Sequence, residues 1–369
     1  MIYILVFVVS IFIAAMACRS KNQIVHFLGL LCSIIPLCTL AGFRDKTIGV
    51  DVLAYPLQSL LYTKGMYISD IFLFDGLLEP GYLFLAWLVN LYDGQLSTLL
   101  LLTQIIISIC FYIGFYRIRQ YVPIGLSIML YCFLFYNMGL NMMRQSLGMA
   151  VVFLGFTFFL PGLGLFGDKK PKKQDIIKFL FFVFIAFCFH KSAVVSAILI
   201  PIFYYRNTKI NYICIIGVAV AFLMYSSLLS NISSLQGFEK LEAYSEDGDY
   251  KAAFSISEFI VRICFIYALF ASRSKFGYAY SSIMTVFIIE FIFNLFQLKS
   301  AFLGRIGYYN YILYIPYVSY SILNSKGKIE KNLFALCVLS LVVFYWWFVF
   351  IYGNAGGTYP YTSKILEIC

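Results

Sequence analysis

The sequence predicts an all-α integral membrane protein that crosses the bilayer many times. Of its 369 residues, 62% are hydrophobic and only 12% are charged, and the mean hydropathy is +0.88. Its apolar runs are continuous and approach the roughly 20 residues that a bilayer-crossing helix needs. Because no polar block is large enough to form a soluble core, we expect a single polytopic membrane domain over residues 1–369.

Charged and turn-forming residues divide the apolar sequence into about twelve predicted transmembrane helices. The first run has no basic segment before it and no cleavage signature after it, which is typical of a retained helix. In chain order, the predicted spans are 2–17, 24–41, 96–115, 122–137, 146–160, 176–190, 193–205, 212–229, 257–272, 278–296, 306–323 and 333–352.

One further apolar run, residues 82–92, is too short to cross the bilayer comfortably. If this run does not cross, most of the 27 Lys and Arg residues fall on one side, which the positive-inside rule makes cytoplasmic. If it did cross, Arg19 and Lys21 would be separated from every later basic connection. We therefore predict a re-entrant or interfacial helix opened by Pro80, with both termini and the acidic loop 231–256 on the outer side.

The composition argues against several other kinds of site. The ten Cys residues are scattered without a CxxC pair, and only two His residues are present, so neither a disulfide framework nor a His-built metal centre is expected. A net charge of +10 follows from the cytoplasmic basic residues of a membrane protein. We expect no cofactor, no metal and no nucleic-acid partner.

Ionised side chains recur where apolar runs begin or end. Placing such a group at bilayer depth costs about 2.5 to 3.5 kcal/mol, so each is a functional candidate. If residues 82–92 do not cross the bilayer, one set of these ionisable side chains is predicted to lie on the outer side: Arg44, Asp51, Glu79, Arg144, His190 and Arg305.

The first candidates follow the second span and open the short helix. An Arg beside a Gly-containing turn suits bidentate phosphate binding, with Asp51 orienting Arg44; a solvated loop with one cation near headgroups is the alternative. Glu79 precedes Pro80, where a carboxylate can simply interact with the helix dipole. The functional alternative is that Glu79 pairs with an Arg or accepts hydrogen bonds from a sugar.

The next candidates lie between later spans. Asn141, Arg144 and Gln145 have three- and four-residue spacing, which predicts one polar helix face; a snorkelling Arg is the alternative. His190 lies between two short spans, where imidazole suits proton transfer near neutral pH. The alternative for His190 is a side chain at headgroup level.

Arg305 completes the set, with Gly304 and Gly307 nearby to permit close approach of a substrate. Arg262 and Glu290 lie inside predicted spans, and we expect them to pair with each other.

In this order, the motifs resemble the EpsG and Wzy group of bacterial polysaccharide polymerases. The resemblance covers most of the chain. It is carried by Arg44 with Gly49, Asp51 and Tyr55, by Glu-Pro-Gly-Tyr at 79–82, by Asn-x-x-Arg-Gln at 141–145 and by Phe-His-Lys-Ser at 189–192.

The resemblance implies a polytopic enzyme of the bacterial inner membrane that joins undecaprenyl-diphosphate-linked oligosaccharides on its outer face. Arg44, Arg144 and Arg305 could stabilise the charge of the diphosphate, and His190 is the leading base, with Glu79 as substitute or orienter. The bilayer and a chain-length regulator are the other candidate partners. An O-antigen ligase-like enzyme, a flippase or transporter, and a membrane acyltransferase are the alternatives.

Overall fold

The computed structural model describes residues 2–73, 78–160, 166, 169–224, 255–298, 301–324 and 328–368. It is 81% helical, and the described residues contain no strand. The all-α membrane class is therefore confirmed. The predicted acidic outer loop lies outside the described residues over 231–254, as do the end of the eighth predicted span and Gly167–Asp168 of the loop before the sixth.

Within the described residues, every predicted span coincides with a helix or with helices in series. In chain order the helices are α1 Ile2–Ala17, α2 Gln23–Gly42, α3 Asp51–Ala54, α4 Pro56–Thr63, α5 Ile68–Leu73, α6 Pro80–Tyr92, α7 Leu96–Arg117, α8 Ile124–Tyr131, α9 Asn137–Asn141, α10 Met143–Phe159, α11 Lys173–Phe189, α12 Leu199–Tyr205, α13 Thr208–Leu223, α14 Ile256–Ala271, α15 Ala279–Leu295, α16 Ala301–Ile306, α17 Tyr308–Tyr311, α18 Tyr314–Leu323 and α19 Lys328–Trp346.

Five stretches are long and apolar enough to cross a membrane by themselves. They are Gln23–Gly42, Leu96–Arg117, Ile124–Asn141, Ala279–Leu298 and Ile329–Tyr352. Among the shorter apolar helices, Met143–Phe159 is largely buried in the bundle, whereas Thr208–Leu223 is largely exposed and buries Asn211 and Val218. The number of about twelve crossings stays a prediction.

The basic connections meet at one end of the bundle, which we call the basic end. The Arg117 guanidinium lies 3.4 Å from the centroid of the Phe158 ring, which joins the ends of α7 and α10. Lys170 Nζ donates to the Tyr205 carbonyl across 3.0 Å. The Tyr320 hydroxyl donates to the Lys275 carbonyl across 3.3 Å. This clustering of cations is the arrangement that the positive-inside rule predicts.

Both ends of the described chain lie at the opposite end of the bundle, which we call the site end. The Tyr3 hydroxyl donates to the Thr358 carbonyl across 2.6 Å. Asn137 is buried below this contact, where its Nδ2 donates to Thr358 Oγ1 and its Oδ1 accepts from Trp346 Nε1. The first and last helices are therefore fixed to α9 at the site end.

The short helix after Glu79 is the element on which the predicted topology depends. At 13 residues, α6 is roughly 20 Å long, well short of the roughly 30 Å hydrocarbon core. It begins at Pro80, as the sequence predicts, and it is preceded by three further short helices, α3 to α5. Its re-entrant or interfacial placement stays a prediction, but it is too short for a straight crossing.

Candidate active site

The Glu79 carboxylate lies between a guanidinium and an imidazole at the site end. Arg144 Nη1 donates to Glu79 Oε2 in a salt bridge, and His190 Nδ1 lies 3.1 Å from Oε1. The backbone N–H of Lys191 also donates to Oε1, across 3.4 Å. The side chain of Glu79 is only 5% exposed. Residues from the starts of α6 and α10 and from the end of α11 therefore form one buried ionic centre.

Local sequence explains how α6 delivers Glu79 to this centre. Pro80 begins the helix and leaves Glu79 in an extended conformation (φ −74°, ψ 144°), and the Glu79 side chain does not cap the helix. Gly81 packs directly on α11, because a Cβ there would lie 2.7 Å from the Cys188 carbonyl oxygen. The Glu-Pro-Gly sequence thus brings the carboxylate to His190, and the simple capping alternative for Glu79 is not what the structure shows.

The surroundings of Glu79 keep it ionised. Burial by itself raises the pKa of its carboxyl, but the hydrogen bond with His190 and the charge of Arg144 outweigh that effect, so the pKa is lowered. An ionised carboxylate only accepts hydrogen bonds, so His190 carries its proton on Nδ1 in the neutral form. Its Nε2 then has a free lone pair.

Arg144 is held on its other side by an aromatic ring. Its guanidinium lies 3.8 Å from the centroid of the Tyr55 ring, a cation–π contact worth about 0.5 to 2 kcal/mol. Tyr55 immediately precedes α4, within the segment of short helices that leads to Glu79. The early Tyr55 motif and the later Arg144 motif therefore meet in space.

Asp51 and Arg305 flank this centre. Burial raises the pKa of the Asp51 carboxyl, and the charges of Arg305 and Arg144 oppose that effect without cancelling it. Gln145 Nε2 donates to the Arg305 carbonyl across 2.5 Å, which ties α16 to the first turn of α10. The Arg305 guanidinium donates no hydrogen bond within the part of the chain that the structure describes. Its N–H donors are therefore not occupied by any described residue.

The predicted single helix face of Asn141, Arg144 and Gln145 is wrong. Met142 leaves the helical region (φ −87°, ψ 59°) and separates α9 from α10. Asn141 therefore ends one helix, and its Oδ1 accepts from the Asp51 backbone N–H across 3.0 Å. Arg144 and Gln145 open the next helix and contact Glu79 and Arg305. The break lets one short motif reach three partners.

Arg44 contacts the chain in a way that the sequence did not predict. Its guanidinium donates to the carbonyls of Ala41, Ile48 and Leu140 at 2.6, 3.1 and 2.9 Å, and the residue is 5% exposed. Asp51 does not orient it. Because carbonyls take up its donors within the described chain, Arg44 fixes the loop that carries Asp51 to the end of α9, and the diphosphate role expected for it loses support.

The C-terminal segment also holds that loop. Backbone N–H groups of Gly49, Val50 and Asp45 donate to the carbonyls of Gly357, Gly356 and Thr362 at 2.9 to 3.0 Å. No sequence motif predicts this contact, because backbone pairing between distant segments requires no particular side chain.

A second ionic group lies within α14 and α15. The expected pair is confirmed: Arg262 Nε donates to Glu290 Oε1 across 2.7 Å, and both side chains are fully buried. Glu258 joins them, with Oε2 3.0 Å from Arg262 Nη1. The four-residue spacing of Glu258 and Arg262 was the available signal.

The fold and the site together define a polytopic helical membrane protein with a buried Glu–Arg–His centre at the end opposite its basic connections. A family model described as the EpsG family matches residues 27–363, a range that contains every candidate residue. The chain belongs to the EpsG family, which is associated with polysaccharide polymerase activity. No curated protein and no solved structure matches the chain.

Proposed function

We propose that this protein polymerises oligosaccharide repeat units carried on undecaprenyl diphosphate, at the outer face of the bacterial inner membrane. The observation that carries the proposal is the Glu79 carboxylate shared by His190 and Arg144. It combines a positioned base with cationic side chains, the two features that glycosyl transfer from a lipid diphosphate requires.

His190 acts as the general base. Glu79 fixes the ring through Nδ1, which leaves Nε2 to accept the proton of an acceptor sugar hydroxyl. The hydroxyl oxygen then bonds to the anomeric carbon of the donor sugar, and the bond from that carbon to the diphosphate oxygen breaks. Glu79 is the orienter and not the base, because its lowered pKa and its salt bridge make it a poor proton acceptor.

The lipid diphosphate leaves with the bonding electrons, so its charge must be stabilised. Arg305 supplies a guanidinium at the edge of the centre, and Arg144 adds positive charge beside Glu79. Asp51 orients this pair electrostatically, while Asn141 and Gln145 hold the backbone on either side. Arg44 stabilises the loop and is not part of the proposed diphosphate site.

The lengths of α10 and α11 favour a lipid-linked substrate. Each has 17 residues, or roughly 25 Å of helix, measured from the basic end to the Glu79 centre. Because the hydrocarbon core is roughly 30 Å thick, the centre falls just beneath the outer headgroups. The diphosphate of a polyprenyl lipid lies at that depth.

Polymer length in cells tests the proposal. We expect Arg144→Ala to abolish long polymer while the protein still inserts normally, with Arg119→Ala at the basic end as the matched control. Chain-length ladders on a gel should collapse to single repeat units for Arg144→Ala alone. An unchanged ladder would contradict the role of Arg144.

A further inference from the structure

The second ionic group combines two carboxyl groups with a single guanidinium. One guanidinium, that of Arg262, is shared by the carboxylates of Glu258 and Glu290. Arg262 and Glu290 are fully buried, whereas the Glu258 side chain is 15% exposed. The Arg262–Glu290 pair would be complete without a third ionisable group. The Glu258 carboxylate, whose partly exposed side we call the open end of the group, therefore requires a separate explanation.

A polar stripe on the neighbouring helix faces this group. Glu290 and Asn294 lie four residues apart on one face of α15, and Gln297 follows three residues later in the 3-10 turn Phe296–Leu298. Glu290 pairs with Arg262 at the buried side of the group, and Gln297 Nε2 donates to Glu258 Oε2 across 3.4 Å at its partly exposed side. Asn294 lies in the middle of the stripe and is fully buried.

Several atoms of this group have no hydrogen-bond partner among the described residues. They are both amide atoms of Asn294 and Nη2 of Arg262. A buried polar group destabilises the fold unless a ligand or water forms hydrogen bonds with it. The set contains donors as well as acceptors, so a metal cation could satisfy only part of it, whereas hydroxyl groups both donate and accept.

The open end of the group presents the atoms that a larger ligand could reach. Arg262 and Gln297 both donate to Glu258 Oε2, and among the described residues the other oxygen, Oε1, accepts from the Tyr308 hydroxyl alone, across 3.4 Å. Glu258 Oε1 is thus a fixed carboxylate oxygen with remaining capacity to accept hydrogen bonds. The buried Arg262–Glu290 pair holds it in place.

This open end adjoins Arg305. Gly304 packs so closely on Gln297 that a Cβ there would lie 1.9 Å from Gln297 Cγ. The charge of Arg305 acts on Tyr308 on one side and on Asp51 on the other. Arg305 therefore lies between the Glu79 centre and the open end of the Glu258 group.

We propose that Glu258, Gln297 and Tyr308 bind hydroxyl groups of a sugar within the lipid-linked repeat unit. The proposal rests on the proposed function, because it places that sugar beside Arg305 and its diphosphate. Arg262 and Glu290 are positioning residues that fix Glu258, and the orphan atoms of Asn294 extend the same hydrogen-bonding capacity inward.

Two measurements on the full-length protein in lipid nanodiscs test this subsite. The first is the KM and kcat for polymerisation of lipid-linked repeat units extracted from cells that lack this protein. The second is saturation-transfer NMR with the oligosaccharide that mild acid releases from the same lipid, which lacks the diphosphate. The variants are Glu258→Gln and Tyr308→Phe, and Glu330→Gln, an exposed Glu near the start of α19, is the matched control.

We expect Glu258→Gln to raise KM about tenfold or more with kcat changed by less than about threefold, because a hydrogen bond to a charged group is stronger than one to a neutral amide. Tyr308→Phe, which removes one hydroxyl and keeps the ring, should raise KM by a smaller factor. Both variants should weaken the saturation transfer, and Glu330→Gln should change nothing.

Unchanged KM and unchanged saturation transfer in both variants would overturn the subsite, and the orphan atoms would then be satisfied by water alone. A wild-type protein that binds the free oligosaccharide but makes no polymer would refute the proposed function and leave the subsite standing. A wild-type protein that makes polymer but shows no difference from its variants would refute only the subsite.

Discussion

For single residues, the chemistry depends on which side chains already form hydrogen bonds or ion pairs within the protein. Three arginines were expected to bind diphosphate, but their surroundings differ. Arg44 donates to three carbonyls, Arg144 pairs with Glu79, and Arg305 faces Asp51 without donating a hydrogen bond to a described residue. The sequence predicts that all three lie on the outer side. It could not predict their different partners, because those depend on where the folded chain places backbone carbonyl groups and other side chains.

The role of His190 can be tested against the other histidine of the chain. We expect His190→Gln to reduce the polymerisation rate by about 100-fold or more, the usual effect of removing a general base. His26→Gln is the matched control, because His26 packs beside Tyr116 at the basic end. The measurement is the initial rate of polymer formation by each purified variant, and equal rates for the two variants would rule out His190 as the base.

The two carboxyls of the site should respond oppositely to pH. The pKa of Asp51 is raised above its ordinary value of 3.8, so ionisation of Asp51 costs stability as pH rises from 3.8 through its folded-state pKa. We expect Asp51→Asn to raise the Tm at neutral pH and to lose this gain below about pH 3.8. Thermal unfolding of both proteins across this range measures the effect.

Glu79 can be compared with Asp51, because the pKa of its carboxyl is shifted in the opposite direction. Its pKa is lowered from 4.5, so its ionised form stabilises the fold above that pH, and this stability is lost as pH falls through the folded-state pKa. Glu79→Gln should therefore lower the Tm at neutral pH. The same sign of change in Glu79→Gln and Asp51→Asn would contradict the electrostatics described above.

At the scale of elements, the sequence predicted the helices better than their ends. Apolar length is a local property, and each predicted span coincides with helical structure. The break at Met142 was missed because nothing in Asn-Met-Met-Arg marks it, and the C-terminal segment was missed because its contacts are made by the backbone. The start of α6 was predicted correctly, because Pro80 fixes it locally.

The C-terminal segment should be needed to hold the Asp51 loop. We expect Thr358→Val to lower stability by about 1 to 3 kcal/mol, because it leaves the buried Asn137 amide without its partner. It should also speed amide hydrogen exchange at Gly49 and Val50. Thr362→Val is the matched control, since only the Thr362 carbonyl contacts the loop. Equal exchange in both variants would show that the segment does not support the loop.

At the scale of the whole molecule, the structure separates a basic end from a site end. Contacts at Arg117, Lys170 and Lys275 define the first, and those of Glu79, Arg144 and His190 define the second. The positions of the Lys and Arg residues in the sequence predict this separation. They can do so because the positive-inside rule depends on charge and not on how the helices pack.

The topology around α6 can be measured directly. We expect epitope tags inserted at Gly65, where a side chain would meet no atom, and at Gly94 to be accessible from outside intact cells. A tag between Lys172 and Lys173 at the basic end should be inaccessible until the membrane is opened. If the Gly65 and Gly94 tags lay on opposite sides, α6 with its flanking segments would cross, and the common outer face of the site would be lost.

The most direct test of the central claim is polymerisation by the purified protein. In nanodiscs supplied only with undecaprenyl-diphosphate-linked repeat units, and without nucleotide sugars, we expect the wild-type protein and His26→Gln to produce a ladder of polymer lengths, and His190→Gln to leave single units. If well-folded wild-type protein left only single units, the proposed polymerase activity would be contradicted. If His190→Gln produced the same ladder as the wild type, the role of His190 as the base would be contradicted.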